Sequence, residues 1–213
     1  MANVFGIPIT DKTLKEMPEY IDKEITQTDR AHVALNMKNA EDKDFNARRY
    51  VEKLKADFGD GVTTLCVIYN ATGDTLTLIT SHDYHGHLGA SPYPVEIANG
   101  QWGAFLHVKD AVVPSGSAGA VVYRGRNQNG NVCDWMLGWS SPWNRILYDS
   151  QAYAEIREAD HYSGDGAPWG VVFDKMEQAG LTFKDEWNNC VAMVTIGGNT
   201  SPIYEGTMTL KDA

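Results

Sequence analysis

Val62-Thr-Thr-Leu-Cys-Val-Ile-Tyr69, Asn70-Ala-Thr-Gly73 and Thr75-Leu-Thr-Leu-Ile-Thr80 decide the fold class. β-Branched and apolar residues alternate on either side of a turn-forming tetrapeptide, which predicts two strands joined as a hairpin. Working outward, the same period predicts strands over 95–98, 103–108, 118–123, 131–139, 153–157, 190–196 and 204–210. Turn formers separate them at Asn99-Gly100, Asn127-Gln-Asn-Gly130 and Gly197-Gly-Asn-Thr-Ser-Pro202. One helix over 169–178, stopped by Gly180, interrupts the series. Short strands at this regular spacing predict a β-sandwich.

The first sixty residues follow a helical period instead. Thr28 and Asp29 are expected to cap a helix reaching about residue 37, with Ala31, Ala34 and Leu35 inward. Asp44 is expected to cap a stronger one carrying Ala47, Tyr50, Val51, Leu54 and Phe58 on one face, with Gly59 as its stop. Arg48, Arg49, Glu52, Lys53, Lys55 and Asp57 give its other face the mixed charge of a solvated surface. The expected organisation is mainly β with flanking helices. It is one domain over 1–213: a helical extension, 1–60, packed on a sandwich, 61–213, with one helix near 169–179.

A length of 213 residues with 43% apolar content supports one sizeable core. Runs such as Cys66-Val-Ile and Val171-Val-Phe are too short to span a bilayer. Asp11, Glu16 and Glu19 among scattered apolar residues make a signal peptide unexpected, which predicts cytoplasmic synthesis. Cys66, Cys133 and Cys190 lack metal-ligand spacing and read as reduced, packed thiols. Asn70-Ala-Thr72 and Asn199-Thr-Ser201 then read as turns. A net charge of −10 repels nucleic acid and anionic lipid. Any lipid partner should be zwitterionic or neutral.

The densest aromatic stretch is Trp135-Met-Leu-Gly-Trp-Ser-Ser-Pro-Trp-Asn-Arg-Ile-Leu-Tyr148. It begins as a strand and ends among turn formers, which belong at a surface. Exposed Trp and Tyr rings suit a membrane–water interface or the capture of a quaternary ammonium. The competing reading folds the rings back into the core. Trp135 and Trp139, four apart on a strand, share one face and suit burial. Trp143 follows Pro142 in a turn and suits exposure.

Catalytic chemistry has no good candidate. His82, His85 and His87 with Asp83 could bind zinc from a loop, but Gly86 and Gly89 loosen the segment and no distant fourth ligand is evident. No nucleophile elbow, P-loop or dinucleotide fingerprint occurs. Ser115, Gly116, Ser117 and Gly119 lead into a strand and so make no phosphate cradle. No cofactor is expected.

Tyr69-Asn-Ala-Thr-Gly73, His85-Gly-His87, the run from Tyr93-Pro-Val-Glu-Ile-Ala-Asn-Gly-Gln-Trp-Gly to His107, Gly116-Ser-Ala-Gly-Ala-Val-Val-Tyr-Arg124 and Glu155-Ile-Arg157 resemble the plant 23-kilodalton jasmonate-induced proteins. Val4-Phe-Gly6 and Ile25-Thr-Gln27 extend the likeness over nearly the whole chain. That family includes nakanori, a mushroom protein that binds sphingomyelin together with cholesterol and is similar in fold to the actinoporins. The likeness implies an actinoporin-like β-sandwich.

The actinoporin membrane-facing signature is Ser-x-Pro-aromatic, four further positions, then Tyr, after a Gly-Ala-Val strand and an Asp-Gly or Asn-Gly turn. Gly119-Ala-Val121, Asn129-Gly130, Ser140-Ser-Pro142-Trp143 and Tyr148 match it. The resemblance implies Val121, Ser140, Pro142 and Tyr148 at a phosphocholine pocket, and Trp143, Ile146 and Leu147 inserted in the membrane. The helix near Trp169 offers Trp169 and Phe173 where actinoporins have pocket tyrosines, with Tyr162 as a substitute hydroxyl. The N-terminus departs from the pore-forming pattern, because the strongest amphipathic helix is internal and charged outside. The resemblance therefore implies peripheral binding to sphingomyelin/cholesterol membranes without pore formation. A carbohydrate-binding stress protein, using the same rings as sugar platforms, is the alternative.

Overall fold

The computed structural model describes residues 3–111 and 113–213. β2 (Thr63–Ala71) is buried along its whole length because both its faces are covered. Cys66 and Ile68 point into the core between two sheets, while Leu65, Val67 and Tyr69 point to a second core under the N-terminal helices. The period of two thus feeds two cores from one strand.

The first sheet runs β1 (Val4–Phe5), β6 (Trp102–Val108), β2, β12 (Ile203–Leu210), β11 (Cys190–Ile196) and β10 (Thr182–Trp187), with β4 (His87–Leu88) also on β6. β12 lies parallel to β2, and the other pairs are antiparallel. The second sheet runs β5 (Glu96–Ile97), β3 (Leu76–His85), β7 (Ser117–Arg126), β8 (Val132–Ser141) and β9 (Gln151–Glu158). Between the sheets sit Trp135, Leu137 and Trp139 of β8 with Val121 and Tyr123 of β7.

The expected hairpin between β2 and β3 does not form, since these strands belong to opposite sheets. The 70–75 turn is instead an arch across the sandwich. Asn70 shapes it by donating to the carbonyls of Asp74 (2.8 Å) and Ile97 (2.7 Å) and accepting from the Thr72 amide (2.9 Å). Gly73, at φ 80°, sits against the Gln27 carbonyl, where an added Cβ would lie at 2.1 Å. A helix roofing the arch therefore fixes this glycine.

The roof is α2 (Gln27–Asn36) with α3 (Lys43–Phe58) and the short α1 (Asp11–Lys15). α2 starts about two residues earlier than expected. Thr26 is the cap, its hydroxyl accepting from the Asp29 amide while Asp29 bonds back to the Thr26 amide. α3 begins at Lys43, so Asp44 lies within its first turn and Asp42 takes the cap position. β1 adds a strand to the expected helical segment. On the opposite side of the sandwich α4 (Trp169–Glu177) covers Ala120, Val122 and Met136. Lys175 of α4 bonds buried Glu155 at 2.6 Å and pins the helix to β9.

Candidate functional site

The same sheet parity places the site. On β7 the odd residues Val121 and Tyr123 face the other sheet, while even Ala120 and Val122 face α4. Ala118 continues the outer row and pairs with Ser140 at the end of β8. A cleft of about 330 Å³ opens there, where α4 ends and the chain leaves β8. Ala118, Ser140 and Pro142 line it from the sheet, Phe173 from α4, and Trp143 and Tyr148 from the following loop.

Gly116 keeps the cleft closed at one end. An added Cβ would lie 2.0 Å from the Ser141 carbonyl oxygen, so only glycine allows this approach. The loop after Pro142 is turned by Asn144, whose side chain accepts from the Ile146 amide (3.2 Å) and whose carbonyl accepts from the Tyr148 amide (3.1 Å). That turn throws the apolar side chains outward: Trp143 is 54% exposed, Ile146 95%, Leu147 68% and Tyr148 62%. Four adjacent large apolar groups in water are unfavourable unless something covers them. Trp135 and Trp139 are fully buried.

Three expected site residues lie elsewhere. Val121 is enclosed between the sheets opposite Leu137, because it has the inward parity; Ala118 occupies the β7 position at the cleft. Trp169 lies at the other end of α4, stacked on His82 with ring centroids 4.8 Å apart. Tyr162 is buried and its hydroxyl is committed to Glu155 at 3.0 Å, so it offers nothing to a ligand. Phe173 reaches the cleft and packs on Tyr84 at 4.6 Å. The three histidines diverge: His82 against Trp169, His85 beside Phe173, and His87 on Asp110 at 3.0 Å. No metal-holding cluster occurs among the described residues.

Beneath the cleft runs a polar chain that local sequence patterns do not reveal. Asp83 Oδ1 lies 3.1 Å from His107 Nε2, and His107 Nδ1 lies 2.8 Å from Ser117 Oγ. A carboxylate only accepts, so Nε2 carries the proton and Nδ1 accepts from Ser117. Ser117 meets Thr64 at 2.8 Å, and Thr64 meets Ser141 at 2.9 Å. Burial lowers the His107 pKa against the opposing pull of Asp83. The His107 hydrogen bond in turn holds Asp83 below its ordinary value. Asp, His and Ser in contact have the composition of a hydrolytic triad, yet Ser117 is fully buried and presents no nucleophile to solvent. The residues come from five strands, β2, β3, β6, β7 and β8, so only the fold assembles them.

The chain matches the Nakanori-like protein family over residues 5–211. It belongs to that family. A 23 kDa jasmonate-induced protein of Hordeum vulgare is 41% identical over 202 residues, covering 94% of each chain. A jasmonate-induced protein homolog of Atriplex canescens is 40% identical over 115 residues, 51% of this chain and 57% of that one. The crystal structure of the lipid binding protein Nakanori superposes with a TM-score of 0.86, covering 96% of this chain and 98% of that one. Their identity of 34% makes this Nakanori-like chain a relative of that protein rather than the same one.

Proposed function

We propose that this Nakanori-like protein binds membranes peripherally, recognising the phosphocholine headgroup of sphingomyelin in cholesterol-containing bilayers. The observation that carries the reading is the cleft beside Ser140, Pro142 and Tyr148, rimmed by outward-facing Trp143, Ile146 and Leu147. Support comes from a family whose solved member is described as lipid binding.

The physical division of labour follows from the side chains. The Tyr148 face attracts trimethylammonium, and Phe173 supplies a second ring; each such contact contributes about 0.5–2 kcal/mol. Ser140 donates to phosphate, and Pro142 with Ala118 walls the site. Trp143, Ile146 and Leu147 enter the acyl boundary, as apolar residues at an interface do. No helix among the described residues is long and apolar enough to cross a membrane. Because several weak contacts add, free phosphocholine should bind feebly and a vesicle strongly.

Sedimentation with sphingomyelin/cholesterol vesicles tests the reading, with phosphatidylserine vesicles and a glycan array alongside. Selective sedimentation with the first supports it. Equal sedimentation with both vesicles, or glycan binding alone, overturns it.

A further inference from the structure

We propose that residues 113–116 form a second lip of the binding surface, with Val113 entering the bilayer and the Ser115 hydroxyl bonding the headgroup in the cleft. This rests on reading the cleft as a lipid-headgroup site. Pro114, Ser115 and Gly116 line the same cleft as Trp143 and Tyr148. The family signature assigns none of the three.

Three independent observations support the lip. Ser115 is a half-buried residue of the cleft wall whose hydroxyl oxygen has no hydrogen-bond partner among the described residues, so rotation about its Cα–Cβ bond brings that oxygen to a ligand without breaking a bond. Buried hydroxyls are normally satisfied, so an orphan one in a cleft wall marks a place for a ligand atom. Val113 is 50% exposed, an aliphatic side chain left in water next to the cleft. Finally, residues 111–116 contain no ionisable group in a chain of net charge −10, so this stretch escapes the desolvation cost that a charge would meet at a bilayer. The charges that precede the stretch in the chain are engaged elsewhere: Lys109 bonds the Asp110 carbonyl at 2.9 Å, and Asp110 pairs with His87. The carboxylate at the cleft is Glu177, on α4 and not on this lip. Gly116, pressed against the Ser141 carbonyl, couples this lip to the Trp143 loop.

Cys66, Cys133 and Cys190 are buried, so an introduced surface cysteine can be labelled selectively. Val113→Cys, Ile146→Cys and Asn129→Cys would each carry an environment-sensitive fluorophore. On adding sphingomyelin/cholesterol vesicles, the label at 113 should blue-shift and brighten like that at 146, while 129 stays unchanged. A response at 146 without one at 113 overturns the membrane half of the proposal. No sedimentation of the unlabelled protein with these vesicles overturns the lipid reading itself and the lip with it. For the hydroxyl, Ser115→Ala should weaken vesicle binding about tenfold at an unchanged Tm, with Ser115→Thr restoring most of it; this is the scale of one hydrogen bond to a charged group. Unchanged binding by Ser115→Ala overturns that half.

Discussion

Thr64 on β2 and Ser141 on β8 place their hydroxyl oxygens 2.9 Å apart, across the gap between the two sheets. Both are buried. This contact, continued through Ser117 to His107, ties the strand end that launches the Trp143 loop to the opposite sheet.

Thr64→Val keeps the shape of the side chain and removes the hub of that chain. The Ser141 hydroxyl then loses its partner, at a cost of about 1–3 kcal/mol. Urea unfolding should show that loss, and Thr64→Ser should recover most of it. An unchanged midpoint for Thr64→Val would show that the chain contributes nothing to stability.

Gly116→Ala forces a methyl group onto the Ser141 carbonyl. We expect destabilisation of about 1–3 kcal/mol from the forced backbone shift. Vesicle binding should fall beyond what the lost folded fraction explains, because both lips of the cleft meet at this point. Comparing sedimentation well below the Tm separates the two effects.

Trp139 and Trp143 are four residues apart and should respond oppositely. Trp139→Ala empties a fully buried site and should cost about 3–5 kcal/mol. Trp143→Ala should leave the melting curve nearly unmoved while reducing vesicle retention. If Trp143→Ala unfolds the protein and Trp139→Ala only impairs retention, the assignment of faces is reversed.

Tyr148→Ala should abolish vesicle binding with the fold intact, since the ring is exposed. Tyr148→Phe keeps the π face and should retain most of the affinity. Parallel titrations with sphingomyelin/cholesterol vesicles measure both, and unchanged binding by Tyr148→Ala would remove the residue from the site.

Stability should fall on mild acidification. Burial holds the folded His107 pKa below the ordinary 6.5, so below that pH the unfolded chain binds more protons than the folded one. The stabilisation is complete above about pH 6.5 and is lost as pH falls toward the folded value. His82 is lowered in the same direction. Asp83, held below 3.8, keeps its contribution throughout that window. Denaturant midpoints at pH 7.5 and 5.5 should differ in the native chain and differ less in His107→Gln.

Much of the architecture was legible because β-branched alternation marks strands wherever one face is buried. The two-residue β1 and β4 are too short to show a period, and the longer exception is β10, where inward-facing positions are Phe183, Asp185 and Trp187. Asp185 faces in because its carboxylate accepts from the Ile156 amide at 2.7 Å, and that charge masked the alternation. Pairing was harder to read than strand position: nothing between Val62 and Thr80 says that β2 takes Ile203–Leu210 as its neighbour rather than β3. At the candidate site, Ser140, Pro142, Trp143 and Tyr148, grouped in the sequence by the Ser-x-Pro spacing, line one cleft. Val121 was misplaced because likeness of letters does not fix parity, and a shift of one position turns a side chain to the other face. Ser115 and the Asp83–His107 contact depend on backbone approaches that no linear pattern records.

The parallel seam between β2 and β12 sets the order of events during synthesis. Thr209 donates to the carbonyl of Ala71, 138 positions earlier in the chain. Until the ribosome releases β12, β2 has an open flank, and a strand that is buried along its whole length in the folded chain stays unprotected. A nascent chain must therefore hold its central strand in reserve through most of translation. Aggregation at that strand, rather than loss of any single contact, is the hazard of truncation.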